Sequence, residues 1–171
     1  NSILCQLVIY EFPKSHIENI IIKGNTKTKD YVILREIPIE SGDVFSKVKV
    51  ENGLRNLYNT QFFSAIMPEF VSGSEQNLVD MIVTVEEGAT TSVEFGVTFT
   101  GITNPNDSPV SGFVKWSDTN VGGTGRTIST SFVASNTEQS VGLGYTDNWF
   151  LGSPLSISAN LNFSHANKVC L

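Results

Sequence analysis

Val93-Glu94-Phe95-Gly96-Val97-Thr98-Phe99 sets an apolar residue against a small or polar one at every step. Successive side chains of a strand point to opposite faces, so Val93, Phe95, Val97 and Phe99 share one face and Glu94, Gly96 and Thr98 the other. Segments of the same kind follow, separated by Gly-, Asn- and Ser-rich turns and without helical periodicity. Ser111–Asp118 is the second; Arg126–Ala134 is the third, with Ile128 and Phe132 opposed by Ser129 and Ser131. In the fourth, Val141, Leu143 and Tyr145 oppose Gly142, Gly144 and Thr146. In the fifth, Leu155, Ile157, Ala159, Leu161 and Phe163 stand against Ser156, Ser158, Asn160, Asn162 and Ser164. These lengths approach the ~9–11 residues with which a tilted strand crosses a bilayer. One apolar and one polar face suit hydrocarbon outside and a watery lumen inside. A soluble β-sandwich alternates in the same way, and periodicity leaves the two open.

Ahead of Gly88 the pattern is different. Ile17–Lys23 is rich in β-branched residues and stops at the turn signal Gly24-Asn25. Thr28 is placed to cap a helix starting at Lys29, with Ile33, Leu34 and Ile37 as its apolar stripe and Pro38 as its end. Ser46 is placed to cap a second helix, whose Val50, Leu54, Leu57 and Tyr58 fall on one face. A strand opens at Phe62-Phe63 and runs to Phe70; after the loop Gly73–Asn77, Leu78–Glu87 alternates again. The order is β-α-α-β-β. Pro68 cannot donate to a ladder, which puts the strand holding Phe63, Ser64, Ala65, Ile66 and Met67 at an edge and Leu78–Glu86 inside. Such an edge accepts another extended chain, unless the proline merely protects it from doing so.

Composition follows the same division. The chain has 171 residues, a net charge of −6 and only 16 % charged residues, against about 25 % in soluble domains. After Gly88 the charges are only Glu94, Asp107, Lys115, Asp118, Arg126, Glu138, Asp147 and Lys168. The acidic balance gives no reason to expect nucleic acid, and no run of the ~18 apolar residues of a membrane helix occurs. Cys5 and Cys170 lie near opposite ends without a CxxC partner, and no signal peptide is visible at the amino terminus. His16 and His165 are the only histidines. No G-x-S-x-G, P-loop or H-E-x-x-H occurs, so no enzyme, metal or cofactor is expected. Gly122-Gly123-Thr124-Gly125 lacks the Lys-Ser/Thr of a phosphate loop and reads as a tight turn.

Ile17–Asn25, Arg35-Glu36, Gly42-Asp43-Val44-Phe45, Leu54, Leu57, Phe62-Phe63 and Val83–Glu87 occur in an order that resembles a polypeptide-transport-associated (POTRA) domain. Residues 89–165 resemble the opening barrel strands of the Omp85 superfamily. Asn120-Val121-Gly122-Gly123-Thr124-Gly125 is similar to its "N-x-x-G-x-G" turn, and Asp147-Asn148-Trp149-Phe150 to its "D-P-W-F"-like turn, with Asn148 in place of the usual proline. The chain then divides into residues 1–16, the end of a preceding POTRA repeat in which Leu7–Glu11 echoes Ile82–Glu86; residues 17–88, a POTRA domain; and residues 89–171, the first strands of an outer-membrane β-barrel. The expected fold is an α+β POTRA domain followed by the antiparallel strands of an incomplete transmembrane barrel, the whole being a piece of a longer exported precursor. The two halves are expected to behave as separate physical objects.

The resemblance implies assembly of outer-membrane proteins: the POTRA domain, in the periplasm, receives unfolded precursors, and the first barrel strand, Val93–Phe99, opens a lateral gate for them. It also implies that the loop Glu40-Ser41-Gly42-Asp43 docks a periplasmic accessory lipoprotein, and that outer-membrane lipid surrounds the strands. A secretion or translocation pore of the same superfamily, or a soluble β-sheet binding module, remain the alternatives.

Overall fold

A computed structural model describes residues 14–99, 110–135 and 138–166. The echo at Leu7–Glu11, Cys5 and Cys170 lie outside the described residues.

The first layer is a three-stranded sheet in the order β1-β3-β2, covered by two helices. β1 is His16–Lys23, α1 Asp30–Leu34, α2 Lys47–Asn59, β2 Phe63–Ser72 and β3 Leu78–Glu87. β1 runs parallel to β3 and β2 antiparallel to it, so β3 is central and the proline-bearing β2 is an edge, as the sequence requires. Ile17, Met81, Val83 and Val85 on the sheet meet Ile33 and Val32 of α1, Leu57 and Val50 of α2, and the connecting Ile37 and Ile39, all buried. Burial of this set, at about 25 cal/mol per Å² of apolar surface, is what holds the helices down.

Two local expectations give way to tertiary contacts. Thr28 does not cap α1: the cap position is Lys29, with no side-chain bond, and the Thr28 hydroxyl is occupied elsewhere. α1 closes at Leu34, well before Pro38, through i→i+3 bonds from Glu36 and Ile37 to Ile33 and Leu34. Leu34 and Tyr58 lie outside the buried stripe, at 39 % and 51 % exposure. Ser46 does cap α2, accepting from the Lys49 amide.

The second layer is a five-stranded antiparallel meander, β4 Thr91–Phe99, β5 Val110–Asp118, β6 Arg126–Ser135, β7 Glu138–Asp147 and β8 Ile157–Ala166, in sequence order. Its register keeps like with like: Val93 opposes Trp116, Phe95 opposes Val114, Phe132 opposes Val141, and Leu143 opposes Leu161. The polar face is concave and encloses a trough of about 530 Å³ lined from every strand, with Glu94, Lys115, Ser131, Gly142 and Asn160 among the walls. Small residues make that concavity. A Cβ on Gly96 would lie 2.6 Å from the Phe113 ring, and one on Gly144 would lie 3.1 Å from the Asn160 amide oxygen. The convex face carries Phe95, Phe99, Leu161 and Phe163 at 81, 77, 59 and 64 % exposure. Among the described residues no second sheet covers it, which a sandwich would require. Among the described residues the sheet stays open, with β4 and β8 as its two edges.

Candidate functional site

β4 begins four residues after the last residue of β3, so the α/β layer delivers the chain directly into the edge of the second sheet. All nine residues of β4 pair with β5, and none pairs on the other side among the described residues. That free side presents backbone donors and acceptors in a row between an apolar and a polar face, which is the requirement for adding a further strand. Val93, Glu94, Phe95, Gly96, Val97, Thr98 and Phe99 all belong to this strand.

The foot of β4 is clamped. Lys27 Nζ lies 3.0 Å from Asp118 Oδ2 and donates to Thr90 Oγ1 at 2.8 Å, while Thr90 Oγ1 donates to Asp118 Oδ1 at 2.9 Å. The Thr119 amide donates to the Thr90 carbonyl at 3.0 Å. The 120–125 turn closes over this point. Asn120 is 1 % exposed; its Nδ2 donates to Thr28 Oγ1 and its Oδ1 accepts from the Gly125 amide, each at 2.8 Å. The Lys29 amide donates to the Gly123 carbonyl at 2.9 Å. Gly123 has φ +73°, and a Cβ there would lie 2.6 Å from the Lys27 carbonyl carbon, so only glycine permits this approach.

Glu87, the last residue of β3, fixes the other side of the same loop. Its carboxylate accepts from the amides of Lys27, at 2.9 Å, and Thr28, at 2.5 Å, and from the Thr26 hydroxyl. Partial burial pushes this carboxyl up, but the Thr26, Thr28 and Lys27 donors outweigh it and bring the pKa down to about 2.

The 147–155 turn makes a second attachment. Trp149 Nε1 donates to Glu36 Oε1 at 2.9 Å, and the Arg35 guanidinium stacks over the Trp149 ring at 5.1 Å. Asp147, 4 % exposed, pairs with Arg126 Nε at 3.0 Å and accepts from the Trp149 amide. Leu151, at φ +55°, carries the turn around and is 86 % exposed. The two halves are thus joined by a polar seam, while the buried apolar core lies wholly within residues 17–85.

Residues 15–88 match the POTRA family, described as a surface antigen variable number repeat, and residues 120–169 match the Omp85 superfamily domain. The chain joins a POTRA-family segment to an Omp85-superfamily segment. It is 46 % identical over 162 residues, 95 % of its length, to a putative outer membrane protein assembly factor of Treponema pallidum. It spans 19 % of that relative. In fold it matches BamA from Haemophilus ducreyi lacking POTRA domains 1–3, with TM-score 0.76 and 22 % identity over 89 % of this chain and 28 % of that one. CdiB from Escherichia coli shares the fold, with TM-score 0.60 and 13 % identity over 88 % of this chain and 28 % of that one.

The other two sites expected of this chain differ in their surroundings. In β2, Phe63 and Ile66 are buried under α2, while Ser64 and Met67 are exposed; the outer side of the strand is unpaired among the described residues. The 40–43 loop is less free than a solvated turn. The Gly42 amide donates to the Ile17 carbonyl, the Ile17 amide to the Asp43 carbonyl, and the Ser41 hydroxyl to the Glu18 carbonyl. The Lys49 ammonium, donating to Asp43 at 3.1 Å, draws that carboxyl below its usual range. Asp43 is therefore engaged within the module, and Glu40 alone leaves its carboxylate to solvent. The loop also covers the first part of the β1 edge through the His16–Val44 bridge. The seam residues Lys27, Thr28, Asn120 and Trp149 were not among the expected sites; the signals were the "N-x-x-G-x-G" and "D-x-W-F" turns, read only as turns.

Proposed function

We propose that this chain acts in the assembly of outer-membrane β-barrel proteins, with the free edge of β4 as the strand on which an incoming precursor is templated. The observation that carries the reading is a strand of nine residues, unpaired on its outer side among the described residues and tied at its foot to the POTRA module. Its backbone supplies affinity with little demand on side-chain identity, which suits a protein serving many substrates. The 46 % identity to a protein described as a putative outer membrane protein assembly factor supports the same activity here.

In this reading β4–β8 cross the outer membrane with Phe95, Val97, Leu161 and Phe163 toward lipid and the Ser/Asn/Gly trough toward the lumen. The POTRA module lies in the periplasm, receives unfolded precursors along β2, and offers Glu40 to a periplasmic accessory lipoprotein. No side-chain chemistry is required. A secretion pore of the same superfamily would share the fold and use the lumen instead of the edge. Cysteines at Phe95 and Val97 in the complete protein test the choice: both should crosslink to a nascent barrel precursor. Crosslinks confined to lumen positions such as Ser131 would transfer the activity to the pore and reject the edge.

A further inference from the structure

Where the convex face of the second sheet meets α1, a cleft of about 440 Å³ opens at the rim. Tyr31 and Arg35 line it from α1 and its cap, Arg126 and Tyr145 from the strand ends, and Phe150 and Leu151 from the 147–155 turn. Three observations give its chemistry. Arg35 is mostly buried, at 16 % side-chain exposure, yet its guanidinium donates no hydrogen bond to any described residue. Its Nε is fully buried and unpartnered, with the Glu36 carboxylate 3.6 Å away. Five donors held in a fixed fork, most of them unused, call for an oxygen-rich planar or tetrahedral acceptor. Arg126, 52 % exposed, gives only its Nε to Asp147 and keeps its terminal nitrogens free among the described residues. Arg35 packs against Gly125, the residue preceding Arg126, so both guanidinia belong to one locality.

The second observation is position. Arg126 and Asp147 are register partners, and the next pair on the same face is Ile128 and Tyr145. One such step is about 7 Å along a strand, so charge gives way to apolar surface within one rung. The third is the turn: Leu151 at 86 % and Phe150 at 37 % exposure extend the apolar face past the end of the strands, with Tyr145 and Trp149 beside them. Aromatic rings at the boundary between a polar rim and an apolar wall are the mark of the headgroup level of a bilayer.

We propose that this cleft is a phospholipid site, with the lipid phosphate on Arg35 and Arg126 and the acyl chain along Ile128 and Tyr145. The inference rests on the membrane-spanning reading of β4–β8. Its consequence is that one lipid of the leaflet adjoining the POTRA module bridges that module and the sheet, filling the donors that the protein leaves unused. Asp147 and Glu36 offset the two guanidinia, so recognition depends on hydrogen bonding to phosphate more than on net charge.

The test uses the full chain in vesicles of equal parts phosphatidylcholine and phosphatidylglycerol. Replacing Trp116 and every other tryptophan of the complete protein by Phe leaves Trp149 as the reporter, inside the cleft, and a headgroup nitroxide lipid is the quencher. A second reporter, Leu161→Trp with all natural tryptophans replaced by Phe, reads an acyl-chain nitroxide at the wall. Trp149 should be quenched by the headgroup label, and Arg126→Gln with Asp147→Asn should reduce that quenching by about half, one of two phosphate donors being lost. Excess inorganic phosphate should leave it unchanged. Unquenched Trp149 beside a quenched wall reporter would overturn the lipid site and spare the membrane reading; neither being quenched would remove both. Equal quenching in the double variant, or displacement by free phosphate, would also reject a lipid held by these arginines.

Discussion

Replacing Asn120 by alanine removes one side chain that closes the seam from both sides. Its Nδ2 donor to Thr28 Oγ1 and its Oδ1 acceptor from the Gly125 amide are lost together. Asn120 is 1 % exposed, so water does not readily replace it. Each buried polar group left unpaired costs about 1–3 kcal/mol, and two partners together give about 2–6 kcal/mol for opening the seam. At about 1.36 kcal/mol per decade, local opening should rise by at least roughly 30-fold. Hydrogen exchange reads this site by site. The Gly125 amide should lose its protection, and so should the Lys29 amide, which crosses the seam to the Gly123 carbonyl. Amides in the α/β core, such as Met81, should be unaffected. Asn120→Asp keeps the acceptor for Gly125 and loses the donor to Thr28, and should fall between. Fast exchange at Gly125 with unchanged protection at Lys29 would refute the claim that this side chain locks the two halves together; unchanged protection at both would refute the hydrogen bonds themselves.

Glu87 makes the same region acid-sensitive: its folded pKa is about 2 against 4.5 ordinarily, so its contribution is complete above pH 4.5 and is lost as pH falls toward 2. The 2.5-unit difference corresponds to about 3 kcal/mol before screening and about 1–2 kcal/mol for a half-buried group; Lys27 and Thr28 amide exchange should accelerate over that window, and Glu87→Gln should abolish the pH dependence. Gly96→Ala should weaken β4–β5 pairing by about 1–2 kcal/mol because the new methyl meets the Phe113 ring, and Phe113→Ala should restore it; amide exchange along β4 decides, and a rise with no rescue would point to backbone effects instead. Glu40→Lys should weaken recovery of an accessory lipoprotein by the complete protein and leave the fold intact, since Glu40 has no ion pair here, whereas Asp43→Lys should also loosen the loop that Lys49 holds; full recovery with Glu40→Lys would remove that docking site.

What could be read from the sequence is what repeats at short range. The period of two in Val93–Phe99 and Leu155–Ser164 placed both sheet faces, and Pro68 alone was enough to put β2 at an edge. The seam was illegible because its partners lie far apart: Asn120 and Thr28 are 92 positions from each other, Trp149 and Glu36 113. Thr28 shows the conflict best. A threonine ahead of a helix reads as a cap, but the buried Asn120 amide claims its hydroxyl, and tertiary pairing prevails over the local bond. β4 was legible as a strand; that it has no partner on its outer side among the described residues was a matter of topology, which no window of nine residues contains.

The clamp of Lys27, Thr90 and Asp118 anchors β4 at its first residue. A strand slipped by one residue turns every side chain to the wrong face, so a template needs an origin as well as an edge. In the proposed role, a strand zippering onto β4 would count its register from Thr91, fixed beside the clamp, like a ruler whose zero mark is bolted to the POTRA module.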